Sequence, residues 1–124
     1  MSTVLVIEDN DANLRLALFL LESAGHLVLS ARDAEAGLAL ARQERPDLIL
    51  MDIQLPGMDG LEATALLKAD ESTKNIPVIA LTALAMKGDE ERIRAAGCDG
   101  YIAKPMPYRE FLSAVSTHLK PRVA

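Results

Sequence analysis

Five side chains that could do chemistry stand where apolar runs stop. Glu8-Asp9 follow Val4-Leu5-Val6-Ile7, and Asp52 follows Leu48-Ile49-Leu50-Met51. Thr82 follows Val78-Ile79-Ala80-Leu81, and Lys104 follows Tyr101-Ile102-Ala103. Each has a plain reading when taken singly. Asp9-Asn10-Asp11 can cap a helix, Asp52 before Pro56-Gly57 can serve a turn, Thr82 can cap and Lys104 can be a solvated charge. Brought to one edge, they make a cleft of three carboxylates, a hydroxyl and an ammonium. Carboxylates held close cannot all stay ionised unaided. Mg²⁺ removes the conflict, because it takes one or two carboxylates together with waters and a phosphate. A cation held by Asp9 and Asp52 leaves an Asp52 oxygen free as a nucleophile, and aspartate is able to form an acyl phosphate. Phosphoryl transfer is mainly positioning and charge neutralisation, to which Lys104 and Thr82 can both contribute.

The elements between these residues must deliver them to that edge. Leu14, Ala17, Leu18 and Leu21 recur at helical spacing after Asp11, and Gly25 ends that helix. Leu27-Val28-Leu29 reads as a second strand, and residues 34 to 44 as an alanine-rich helix closed before Pro46. Residues 61 to 69 read as a short helix. Ile76 to Leu81 read as a strand with Pro77 at its start, and Ala85 to Ala96 as a charged helix closed by Gly97. Phe111, Leu112, Val115 and Leu119 mark a last helix. The pattern is βα five times. Apolar strands joined by helical crossovers predict a doubly wound α/β fold: a parallel five-stranded sheet in order 2-1-3-4-5, flavodoxin-like, with helices on both faces. Such a sheet places its crevice beyond the carboxyl ends of the strands, where the five chemical residues lie.

Composition narrows the partners. The chain has 124 residues, half of them apolar and 3% aromatic, so its core is built from aliphatic side chains. Eighteen acids against 13 bases give a net charge of −5, which argues against a nucleic-acid surface. One cysteine, Cys98, excludes an internal disulfide and reads as a small packing residue. Two histidines, His26 and His118, give a zinc site too little material and read as surface or capping residues. The stretch MSTVLVIED does not read as a signal sequence and no apolar run reaches membrane-spanning length, so a cytoplasmic domain with no membrane partner is expected.

With these residues in view, the chain resembles the receiver domain of two-component response regulators. Glu8-Asp9, DIQLPGMDG around Asp52, Thr82-Ala83 and Lys104-Pro105 carry the resemblance, in that order and spacing. It runs from Thr3 to about Leu119, which implies a single receiver domain over 1–124 with no output domain. AMKGDEERIRAAGCDGYIAKP brings it nearest to single-domain regulators of the DivK cell-division kind. The resemblance implies that Asp52 is the phosphoacceptor and that Asp9, Glu8, Asp52 and the Gln54 backbone carbonyl hold Mg²⁺ or Mn²⁺. It implies that Thr82 and Tyr101 are a switch pair, that Lys104 binds phosphate, and that the Lys104-Pro105 peptide is cis. Glu8 replaces the aspartate often found there and could reach a metal through water. Gln54 and Leu84 occupy the positions that tune loss of the phosphoryl group. Leu84 cannot orient water, so slow self-dephosphorylation is expected.

A histidine kinase or a histidine phosphotransfer protein is the expected donor, approaching near Asn13, Leu14 and the loop Pro105-Met106-Pro107. Leu14 fits the core stripe equally well. The phosphorylated state would be read by a downstream protein at the face 85–96/101–103/107–119. There the charged helix has few apolar anchors (Met86, Ile93, Ala96), and Gly88 costs it about 1 kcal/mol against alanine. On this reading the chain is not an enzyme beyond its own phosphorylation and dephosphorylation. Three alternatives remain: a receiver-fold scaffold that never cycles, an aspartyl-nucleophile phosphatase and a flavodoxin-like cofactor binder. The phosphatase lacks the second acid it needs at Gln54. The cofactor binder wants glycines where this chain has EDNDAN.

Overall fold

The computed structural model describes residues 2–82, 87–104 and 108–119. Ten elements alternate along the chain: β1 (Thr3–Ile7), α1 (Asp11–Ser23), β2 (Leu27–Ala31), α2 (Ala34–Glu44), β3 (Leu48–Asp52), α3 (Gly60–Ala69), β4 (Val78–Thr82), α4 (Lys87–Ala95), β5 (Gly100–Ala103) and α5 (Tyr108–His118). The strands form one sheet in the order β2-β1-β3-β4-β5, with every neighbouring pair parallel. This is the doubly wound fold expected from the sequence.

Successive strand side chains point to opposite faces, and the two faces are covered by different helices. Leu5, Ile7, Ile49, Met51, Val78 and Ala80 pack with Leu38 of α2, Leu67 of α3 and Ile93 of α4. Val4, Val6, Leu48, Leu50, Ile79 and Leu81 pack with Leu14 and Leu21 of α1 and Phe111 and Val115 of α5. Leu14 is therefore part of the core, one of the two roles expected for it. Cys98 is buried, the packing residue expected.

Several boundaries move, each for a local reason. β4 begins at Val78 rather than Ile76, because Pro77 has no N–H to give the ladder and contributes only its carbonyl, to Ile49 at 3.0 Å. α3 gains Gly60, since the Asp59 carboxylate caps it by accepting from the Glu62 N–H at 2.8 Å. α2 keeps its expected bounds of 34 to 44 and is capped by Arg45, the one non-glycine residue with positive φ among the described residues. α4 is described from Lys87, so the expected start at Ala85 and the anchor Met86 lie outside the described residues.

Candidate functional site

Parallel strands put all their carboxyl ends on one edge, and the register sets the spacing there. Ile7 pairs with Met51, Met51 with Ala80, Asp52 with Leu81, and Thr82 with Ala103. Glu8 and Asp9 thus leave β1 beside the end of β3, while Thr82 closes β4 next to Lys104. Asn10 takes the helix-capping role, accepting from the Asn13 N–H at 3.0 Å. Capping therefore falls to Asn10, while Asp9 is exposed at the mouth of the cleft.

Carboxylate oxygens of Glu8, Asp9 and Asp52 lie within 4.8 Å of one another. Lys104 reaches across them: its Nζ stands 2.5 Å from Glu8 Oε1 and 3.3 Å from Asp52 Oδ2. The other Asp52 oxygen, Oδ1, accepts from the Gln54 N–H at 2.9 Å. Glu8 is 1% exposed and its Oε2 has no donor among the described residues. Burial, and then the neighbouring Asp52 carboxyl, push the Glu8 pKa up to about 7, against the opposing pull of Lys104. A buried oxygen without a donor, among three clustered carboxylates, is a set of hard ligands fitted to a small divalent cation.

The remaining expected residues fall around this cluster. Thr82 is fully buried, and its carbonyl accepts from the Lys104 N–H at 2.7 Å, which ties the two strand ends together. Tyr101 is half-buried against the α3/α4 side of the sheet. The Gln54 side chain is exposed. Leu84, Pro105, Met106 and Pro107 lie outside the described residues.

Four further features of this edge were not singled out from the sequence. A mostly apolar cleft of about 370 Å³ opens at Glu8 and Lys104 and runs between α1 and the β5–α5 side, lined by Asn13, Leu16, Leu20, Ile102 and Phe111 among others. Leu16 is 55% exposed and Phe19 67% exposed on α1. Both fall off the helical stripe that marks the core, the one signal that could have found them. Arg32, just past β2, pairs with Asp11 at the start of α1. Gly60 approaches the Asp52 backbone so closely that no side chain fits there.

Comparison with known proteins gives a consistent result. A family model for the response regulator receiver domain matches residues 4–116. The polar-differentiation response regulator DivK of Brucella anthropi is 50% identical over 117 residues, 94% of this chain and 95% of that one. The receiver domain of the sensor histidine kinase PA1611 from Pseudomonas aeruginosa, with a magnesium ion coordinated in its active-site cleft, is 36% identical. It superposes with a TM-score of 0.89, covering 95% of this chain and 97% of that one. The Mn²⁺-bound form of response regulator Rcp1 is 27% identical, with a TM-score of 0.84 over 99% of this chain and 98% of that one.

Proposed function

The chain belongs to the response regulator receiver family, and from that premise we propose that Asp52 accepts a phosphoryl group from a phosphohistidine. The observation that carries this is Lys104, whose ammonium touches both Glu8 and Asp52 at the centre of the three-carboxylate cluster. An Asp52 oxygen would attack phosphorus as the phosphorus–nitrogen bond to the donor histidine breaks, leaving an acyl phosphate and a neutral imidazole once it takes up a proton. Glu8, Asp9, Asp52 and the Gln54 carbonyl would hold Mg²⁺ or Mn²⁺, with Glu8 reaching it directly or through water. The bound cation would supply positive charge opposite the phosphoryl oxygens. Lys104 would turn from Glu8 to one of those oxygens. Thr82, at the end of β4, would donate its hydroxyl to another, and Tyr101 would turn inward as Thr82 moves.

The donor would be a histidine kinase or a histidine phosphotransfer protein. The cleft beside α1, with exposed Leu16 and Phe19 on that helix, supports docking of an apolar donor surface next to Asp52. The face formed by α4, β5 and α5 would be read by a downstream protein. Exposed pairs Arg92–Asp89 and Arg94–Glu90 dress α4, and Ile93 is its deepest anchor among the described residues. The chain would work in the cytoplasm as a signalling protein that turns over only its own phosphoryl group.

Intact mass after incubation with acetyl phosphate tests the chemistry. Wild type is expected to gain one phosphoryl group in the presence of Mg²⁺ and none in EDTA, and Asp52→Asn is expected to gain none. If neither acetyl phosphate nor beryllofluoride modifies a folded wild type, the carboxylate cluster is structural and the scaffold reading stands.

A further inference from the structure

We infer that Gly60 and Thr64 are positioning residues for the phosphoacceptor: the bare first turn of α3 presses on the end of β3 and fixes the peptides that carry Asp52 and Gln54. The inference rests on the assignment of Asp52 as phosphoacceptor and of the Gln54 carbonyl as a cation ligand. A methyl group built on Gly60 would lie 2.2 Å from the Asp52 carbonyl oxygen and 2.6 Å from Ile53 Cα. Gly60 is buried and is not among the positive-φ glycines, which are Gly25, Gly57 and Gly97. Its requirement is therefore space and not an unusual backbone conformation.

The contact is reinforced on both sides. The Gly60 N–H donates to the Ile53 carbonyl at 3.2 Å, and the Ile53 N–H donates to the Leu81 carbonyl at 3.2 Å. The Gln54 N–H donates to Asp52 Oδ1 at 2.9 Å. From Asp52 to the Gln54 amide, then, each peptide is covered or paired, and the Gln54 carbonyl is the next acceptor along the chain. Behind Gly60, the fully buried Thr64 hydroxyl donates to the Gly60 carbonyl at 2.8 Å and is met by Cys98 Sγ at 3.7 Å. A buried threonine bonding the carbonyl four residues back is common in helices. Here that carbonyl belongs to the residue lying against Asp52, so the bond steadies the first turn of α3 where it meets the phosphoacceptor.

A side chain at position 60 must push α3 or the Asp52 peptide aside by about 1 Å, and a displacement of that size at a reacting group is felt strongly. The test uses the full chain as Gly60→Ala, Thr64→Val and Thr64→Ser, alongside wild type. Mg²⁺ affinity is measured by calorimetry on protein shown to be folded by its amide spectrum, together with the initial rate of acetyl phosphate labelling. Gly60→Ala is expected to weaken Mg²⁺ binding about tenfold, as loss of a residue supporting metal ligands does, and to slow labelling. Thr64→Val is expected to move both in the same direction by less, and Thr64→Ser to restore them. A purely structural role would lower the melting temperature and leave the affinity of the folded protein unchanged. If Gly60→Ala does not fold, the Thr64→Val and Thr64→Ser pair decides alone. Variants that match a Mg²⁺-binding wild type overturn this inference by itself. A wild type that neither binds Mg²⁺ nor accepts a phosphoryl group overturns the phosphoacceptor assignment and this inference with it.

Discussion

Glu8 makes the metal-free protein sensitive to pH in a direction that can be worked out. Its carboxyl titrates at 4.5 as a model group and is pushed up to about 7 in the fold. Between those values the folded chain holds a proton that the unfolded chain has released, so stability falls as pH rises. The contribution is fully present below pH 4.5 and is lost as pH passes through 7. The interval spans about 2.5 pH units, and at 1.36 kcal/mol per unit the loss is about 3 kcal/mol. Glu8→Gln removes this titration while keeping the shape. Urea denaturation in EDTA at pH 5, 6, 7 and 8, on both proteins, isolates the effect because the other titrating groups are common to the two. The wild-type stability, less that of Glu8→Gln, is expected to fall across the series by up to about 3 kcal/mol, and Mg²⁺ is expected to restore wild type at pH 8. A difference that stays flat to within about 0.5 kcal/mol would refute both the raised pKa and its causes, burial first and the neighbouring Asp52 carboxyl second.

Other outcomes follow from the same geometry. Leu16→Ala with Phe19→Ala is expected to slow labelling by a phosphohistidine protein while leaving labelling by acetyl phosphate unchanged, because on the proposed function only a protein donor would dock on α1. Leu50, fully buried in β3, is expected to lose roughly 2–5 kcal/mol of stability in denaturant when changed to alanine. Leu84→Glu is expected to shorten the life of the Asp52 acyl phosphate, read as the decay of the phosphorylated mass after excess donor is removed. An unchanged decay would mean that position 84 does not hold the hydrolytic water.

Sequence patterning is informative wherever burial makes the choice of residue binary. The apolar runs at 4–7, 48–51 and 78–81 are too short for helices and read as strands buried on both faces, and the polar residue after each marks the edge where the sheet ends. The same logic puts Glu8, Asp9, Asp52, Thr82 and Lys104 at one edge, because a polar residue at the end of a buried strand has to be paired, solvated or at work. The distribution of bonds within the cluster follows a different rule. Whether Lys104 prefers Glu8 or Asp52 depends on tenths of an ångström, and 2.5 Å against 3.3 Å leaves no trace in residue type or spacing. Leu14 shows the same limit from the other side. A leucine in the first turn of α1 fits both a core stripe and a docking face, and only the rotation of the helix on the sheet turns Leu14 inward and Leu16 and Phe19 outward. Gly60 is the sharpest instance. As a letter in DIQLPGMDG it looks like another turn glycine beside Gly57, yet Gly57 has a φ of 76° with open space around it. Gly60 needs no special φ and has no space at all. One is glycine for conformation and the other for contact, and the contact lies against the main chain of the residue proposed to take the phosphoryl group.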